Sequence, residues 1–268
     1  MKNKLFFSLC LLSFMACTKD YNIQLPANKS ELVVESYLED GQPMRALISE
    51  STNLLDTSLT PAIFVQATVI ISHGSVKDTL KPFFSIDTIQ KKIYNYVSNK
   101  VVKADFTSNE TYRIDVYDTK GRHAYGTTYF IKPLPIESLT PTSRADKKAF
   151  CLTKFKDDPT QTNYFRLVLN KNTLSDSSEL DVILDNSFAN SSNEFVYGSG
   201  YSFEPKDVII ARVFHLTYDY YIYLTTLQNA QTALLNPFAV SGEVVSNIKG
   251  GLGVFAALSY DQKSVVVP

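Results

Sequence analysis

The sequence predicts a mainly β protein: an N-terminal immunoglobulin-like β-sandwich over residues 31–136, then a second β-rich domain over 137–268 with one amphipathic helix at about 216–235. Apolar and polar residues alternate along short segments, and turn-forming pairs such as Asp40-Gly41, His73-Gly74 and Lys120-Gly121 separate them. The composition, with 16 Tyr, 17 Phe and no Trp beside many Val, Ile and Thr, suits pleated, half-buried surfaces. A single stretch leaves the period of two and follows the stripe of an amphipathic helix.

Residues 1–16 read as a secretory signal peptide. Lys2 and Lys4 give a positive n-region, and Leu5 to Met15 form an apolar run about ten residues long. A bilayer span takes about 20 apolar residues, so this run fits export and removal better than a permanent anchor. Ala16-Cys17 fits a lipoprotein cleavage site, whereas Phe14 and Met15 match it only loosely. Cys17 is therefore the candidate lipidation site, and residues 17–30 are a lipidated tether. Each buried acyl CH2 contributes about 0.8 kcal/mol, so several chains give stable attachment.

The sandwich opens with ELVVESYLED, where Leu32, Val34, Ser36 and Leu38 share one face and Val33, Glu35 and Tyr37 the other. Asp40-Gly41 turns the chain, and MRALISES returns with Met44, Ala46 and Ile48 on one face. AIFVQATVIIS, VKDTLKPFF, KKIYNYVS, TYRIDVYD and HAYGTTYFI continue the pattern. IKPLPIESLTPTSRADKK follows, with Pro133, Pro135 and Pro141. Proline lacks the N–H that a central strand needs, so this stretch reads as a connection, with the domain break near residue 137.

The second domain starts with the strands FCLTKF and NYFRLVLN around the turn KDDPTQT. NTLSDSSELD and LDNSFANSSNEF, rich in Ser, Asn and Asp, read as exposed loops. In LTYDYYIYLTTLQNAQTALL the positions Leu216, Tyr220, Tyr223, Leu224, Leu227 and Leu234 follow the helical stripe. Thr217 is the candidate N-cap, Asp219 lies near the positive end of the dipole, and Asn236-Pro237 marks the exit. The stripe takes Tyr220 and Tyr223 inward and leaves Tyr218 and Tyr221 nearer the rim as a candidate recognition surface, with core packing as the competing use of these rings. In SNIKGGLGVFAALS, Gly250, Gly251 and Gly253 suggest a turn and a close backbone approach that seats a final strand. A phosphate loop would need a helix start and GxGxxG spacing, which these glycines lack.

With 26 basic and 27 acidic side chains and no tract of like charge, nothing draws the chain to nucleic acid. Cys10 leaves with the leader and Cys17 is consumed by lipid, so Cys151 has no disulfide partner and reads as a small buried hydrophobe. His73, His123 and His215 lie far apart without HxxxH or HExxH spacing. GxSxG does not occur, and Gly198 to Ser202 lacks the spacing of a nucleophile elbow. Asp157-Asp158 and the group Asp185, Asn186, Asn190, Asn193 and Glu194 offer oxygens for calcium, but DxDxDG is missing, and turn formation is the default reading. No catalytic residue, metal ligand or cofactor is expected.

NPF, SNIKGGLGVFAALS, the Tyr-rich YDYYIYLTTLQ, DDPTQTNYFRL and ELVVESYLED, taken with the leader, resemble the Bacteroidota lipoprotein family known as domain of unknown function 4249. The similarity covers nearly the whole chain. Ser36 stands where the family commonly has glycine, and Ala256-Ala257 where glycine and an aromatic are frequent. Thr18, Lys19 and Asp20 resemble the short charged sequence that follows the lipidated cysteine of lipoproteins sent to the outer leaflet. The resemblance implies a cell-envelope lipoprotein, often found beside TonB-dependent outer-membrane transporters, with an immunoglobulin-like first domain and a β-rich second. It brings no catalytic residues.

The expected protein is thus anchored by lipid to the outer membrane and exposed at the cell surface, a noncatalytic binding or accessory module for a TonB-dependent transporter system. A surface hydrolase acting on carbohydrate or peptide is the alternative, and would need two carboxylates about 5 to 9 Å apart in one pocket. A structural or adhesion lipoprotein is a third reading.

Overall fold

The computed structural model describes residues 29–52, 66–107, 110–146, 148–158, 160–236 and 242–268. The signal peptide, Cys17 and most of the tether lie outside the described residues. The chain is mainly β with one α-helix among the described residues. Its strands are β1 (Leu32–Glu39), β2 (Pro43–Glu50), β3 (Ala67–His73), β4 (Val76–Asp87), β5 (Lys92–Val101), β6 (Tyr112–Asp118) and β7 (His123–Thr128), then β8 (Ile136–Ser143), β9 (Ala149–Lys156), β10 (Tyr164–Lys171), β11 (Ser178–Asp185), β12 (Glu194–Gly198) and β13 (Val208–Leu216). The helix α1 (Tyr218–Leu235) and the long strand β14 (Leu252–Val266) complete it.

The alternation read from the sequence builds the first core. Leu32, Val34 and Leu38 of β1 and Ala46 and Ile48 of β2 point inward to meet Val69 and Ile71 of β3 and Ile114 and Val116 of β6. One strand serves both layers of this core: Val76–Leu80 of β4 pairs with β3, and Lys81–Asp87 pairs with β5 across an irregularity between Pro82 and Ser85. Such bulges let a strand turn a corner between packed sheets.

A second core lies between β10, β11 and β13 on one side and the three-stranded sheet β12-β9-β8 on the other. Phenylalanine fills it. Phe155, Phe165 and Phe195 pack with ring centroids 4.7 to 5.2 Å apart. The stretch read as a connection is in part a strand, because Ile136–Ser143 forms β8 at a sheet edge, where Pro141 can lack a donor without breaking a central ladder. The two polar stretches read as loops also hold strand: Ser178–Asp185 is β11, and β12 begins at Glu194. Residues 172–177 of the first and 186–193 of the second stay irregular, the latter with a 3-10 turn at Asn186–Phe188.

The last strand binds the two cores together. Leu252–Leu258 runs parallel to β1, with Val33 opposite Leu252, and Ser259–Val266 runs antiparallel to β13. An 11-stranded sheet in the order β11-β10-β13-β14-β1-β2-β5-β4-β3-β6-β7 results. A cut near residue 137 therefore divides the chain but not the sheet. Glycine makes the seating possible. At Gly253, φ is +114°, and a Cβ would lie 2.1 Å from the Val34 carbonyl oxygen; at Gly250, φ is +76°, and a Cβ would lie 2.2 Å from the His123 carbonyl oxygen.

α1 lies on the outer face of this sheet, across the junction. Thr217 caps it, its hydroxyl accepting from the Tyr220 N–H, and Asp219 sits in the first turn. Two positions of the expected stripe behave otherwise: Leu216 ends β13, and Leu234, near the helix end, is 84% exposed. Tyr220 and Tyr223 are buried against Tyr37, Val168, Phe214, Val254 and Ala256. Among the described residues, no helix is long and apolar enough to cross a membrane.

Candidate functional site

Beneath α1, from Tyr220 to Gln231, a cleft of about 400 Å³ opens between the helix, the turn joining β4 to β5, and the sheet. The strand period explains its floor. On β10 and β13 the odd-numbered residues Phe165, Leu167, Ile209, Ala211 and Val213 enter the phenylalanine core, so Arg166, Val168, Asn170, Arg212 and Phe214 face α1. Tyr37 of β1 and Tyr220 and Tyr223 of α1 complete an aromatic wall, with Tyr37 and Tyr220 centroids 6.0 Å apart.

Two arginines on this floor differ sharply. Arg166 donates from Nε and Nη2 to the two Asp181 oxygens at 2.7 and 2.6 Å, a bidentate pair. Burial works against its charge, but Asp181 outweighs it and the pKa is raised. Arg212, 5% exposed, has no such partner. Its Nη2 lies 3.5 Å from Asn170 Oδ1, at the long limit of a hydrogen bond, and its Nε bonds to nothing among the described residues. Burial pulls its pKa below the usual arginine value. Phe214 and Tyr260 flank the guanidinium at 5.4 and 5.9 Å.

The hydroxyls around the cleft are mostly committed. Tyr260 donates to Glu39 at 2.7 Å, and Lys92 pairs with Glu35 at 2.7 Å. Burial pushes Tyr223 up to about 12 and, with the Glu39 hydrogen bond, Tyr260 to about 12. These phenols stay protonated and neutral across the physiological range.

Tyr218 and Tyr221 stand apart from this floor, at the helix start. Tyr221 stacks on Tyr164 with centroids 4.3 Å apart and donates to Asp185 at 3.1 Å, while Tyr218, 56% exposed, tilts against the same ring at 5.4 Å. Together they make a small three-ring surface with one open edge. The histidines are scattered. His73 stacks on Tyr112, and His123 contacts Asp115 at 2.9 Å. His215 is buried between the Lys132 carbonyl and Asn163 Oδ1, at 2.8 and 3.1 Å.

Asp157 explains the aspartate-rich turn. Its oxygens accept from the Asn163 and Asn186 side-chain amides and from the Asp158 N–H, and Asn163 passes the network on to His215. Asp158 and Asp185 accept locally from Thr160 and Ser187, as turn-forming aspartates do. Among the described residues, no group of three or more His, Cys, Asp or Glu is placed to hold a metal ion. Cys151 is fully buried, and burial pushes its thiol up to about 11.

The residue of the candidate site that sequence reading passed over is Arg212. Its signal was present: VIIARVFHL is an apolar strand with one charge in its middle. A charge inside an otherwise buried run marks either a pair or a site.

The family model described as "Domain of unknown function (DUF4249)" matches residues 18–264. No curated protein matches the chain. Among solved structures, a chain titled "Cytokine receptor complex - Crystal form 1A" is 8% identical with a TM-score of 0.25, covering 89% of this chain and 96% of that one. One titled "Cytokine receptor complex - Crystal form 2" is 8% identical with a TM-score of 0.27, covering 69% and 89%.

Proposed function

This chain belongs to the DUF4249 family, and from that premise we propose that it is a cell-envelope lipoprotein, anchored by Cys17 to the outer membrane, whose β body is a noncatalytic binding or accessory module for a TonB-dependent transporter system. The observation that carries the reading is at the N-terminus. The family match begins at residue 18, directly after the cysteine that closes a charged-then-apolar leader.

Two features of the body support a binding role. The cleft beneath α1 combines an aromatic wall with a buried guanidinium whose Nε has no hydrogen-bond partner among the described residues. On β4, Phe83 and Ile86 are each 64% exposed and Phe84 is 53% exposed, an apolar group of the kind that partner surfaces use.

Feeding cells an alkyne fatty acid and weighing the mature protein tests the anchor. The wild type should carry label on Cys17 and fractionate with the outer membrane, and Cys17→Ser should lose both. Crosslinking before gentle extraction should then recover a TonB-dependent transporter. An unacylated mature chain would refute the anchor, and extraction with no envelope partner would refute the accessory role.

A further inference from the structure

We infer that the cleft beneath α1 binds a small carboxylate-bearing molecule, with the Arg212 guanidinium as its anchor. The inference rests on the reading of the β body as a binding module and names the chemistry it takes. A buried guanidinium without a counter-charge is strongly unfavourable unless something compensates it. Arg212 is 5% exposed, its Nε is unpartnered, and its side-chain hydrogen bond is to the neutral Asn170 at 3.5 Å, while Phe214 and Tyr260 flank it and the carboxylates of Glu39 and Asp181 act on it without closing an ion pair. Arg166 on the neighbouring strand shows the compensated arrangement, held by both oxygens of Asp181. At Arg212, which lines the cleft, no carboxylate among the described residues takes the bidentate position that Asp181 takes at Arg166.

The fork of a guanidinium matches a planar carboxylate through two parallel N–H bonds. A cleft of about 400 Å³ suits a ligand of sugar or dipeptide size. Gln90, Ser178, Gln228 and Gln231 at its edge supply amides and a hydroxyl for the polar remainder, and Tyr37 and Tyr223 offer apolar ring faces. A sugar acid and a peptide C-terminus share this chemistry.

Isothermal titration of the full-length, detergent-solubilised protein separates these sources. Galacturonate and alanyl-alanine serve as probes, each beside its uncharged counterpart, galactose or alanyl-alaninamide, with inorganic phosphate as a third arm. At least one acid should bind about tenfold or more tightly than its counterpart and than phosphate. Arg212→Met should weaken that binding by about tenfold or more, as should Asn170→Asp, which places a carboxylate beside the guanidinium in a nearly unchanged side-chain volume. Arg144→Gln, at an exposed position beside Tyr201, should leave it unchanged. If Arg212→Met fails to fold, Asn170→Asp decides. The site is overturned by absence of binding to both acids at millimolar concentration, by equal affinity for acid and counterpart, by preference for phosphate, or by unchanged affinity in Asn170→Asp. None of these outcomes bears on the fatty-acid label at Cys17, so loss of this site and loss of the anchored-lipoprotein reading are told apart.

Discussion

Between β10–β13 and β9–β12, Phe155, Phe165 and Phe195 lie at or below 1% exposure, packed ring against ring, with Thr153 of β9 and His215 of β13 as polar groups on the same face. On the opposite face of the same β10–β13 strands the aromatic groups include Tyr37 and Tyr260 of the sheet and Tyr220 and Tyr223 of α1, and they share the space with Arg166, Arg212 and an open cleft. The first face is built chiefly from rings and aliphatic side chains, so burial and shape dominate it. The other keeps hydroxyls and charges that need partners, which limits how tightly it can close. The phenylalanine face should therefore tolerate little, whereas the tyrosine face should accept substitutions that preserve ring volume.

The largest effect is expected in the sealed core. Phe165→Ala removes a ring that touches both Phe155 and Phe195, and should cost about 3–5 kcal/mol in urea unfolding. Tyr223→Phe, on the other face, keeps the ring and should cost less than about 1 kcal/mol. Equal losses would erase the distinction between the two faces.

Gly253→Ala comes next and asks whether the faces share one cooperative unit. The left-handed φ of +114° and the approach to the Val34 carbonyl oxygen leave no room for a Cβ, so the loss should be about 2–4 kcal/mol. Because β14 pairs with both β1 and β13, scanning calorimetry should show one transition moved as a whole. Two separated transitions would show that the halves on either side of β14 unfold independently.

The contrast between faces also marks what the sequence could convey. In β1, β2, β9 and β10 the period of two assigns each side chain to a face, and in α1 Thr217 and Asp219 announce the start, so these elements were legible. Pairing partners were not. Nothing local in GVFAALS says that it lies parallel to ELVVESY at the opposite end of the chain, since periodicity fixes the face of a strand and not its neighbour. Gly253 gave the one hint, a residue without Cβ where two backbones meet. Arg212 was missed because an apolar run containing a charge has no clean period, although its unpartnered Nε is what makes it informative.

A smaller effect separates the turn network from the rest by pH. Burial lowers the pKa of His215 below the free value of about 6.5. The unfolded chain then takes up the proton more readily than the folded one. Stability is complete above pH ~6.5 and falls as pH drops through that value toward the folded pKa, with a slope of at most about 1.4 kcal/mol per pH unit. Urea midpoints measured from pH 7.5 down to 5 should show this limb, and His215→Gln should flatten it. An unchanged limb in the variant would assign the slope to other groups.

The smallest change is the most discriminating for the tyrosine face. Tyr94 is 1% exposed, lies under the Arg45 guanidinium at 4.8 Å, and its hydroxyl bonds to nothing among the described residues. Desolvation of that hydroxyl is a cost with no return, whereas the ring provides the packing and the cation–π contact. Tyr94→Phe should therefore be neutral or stabilising by up to about 1 kcal/mol, measured as a urea midpoint that stays or rises. A loss above about 1 kcal/mol would mean that the hydroxyl is held by a group or water within the layer.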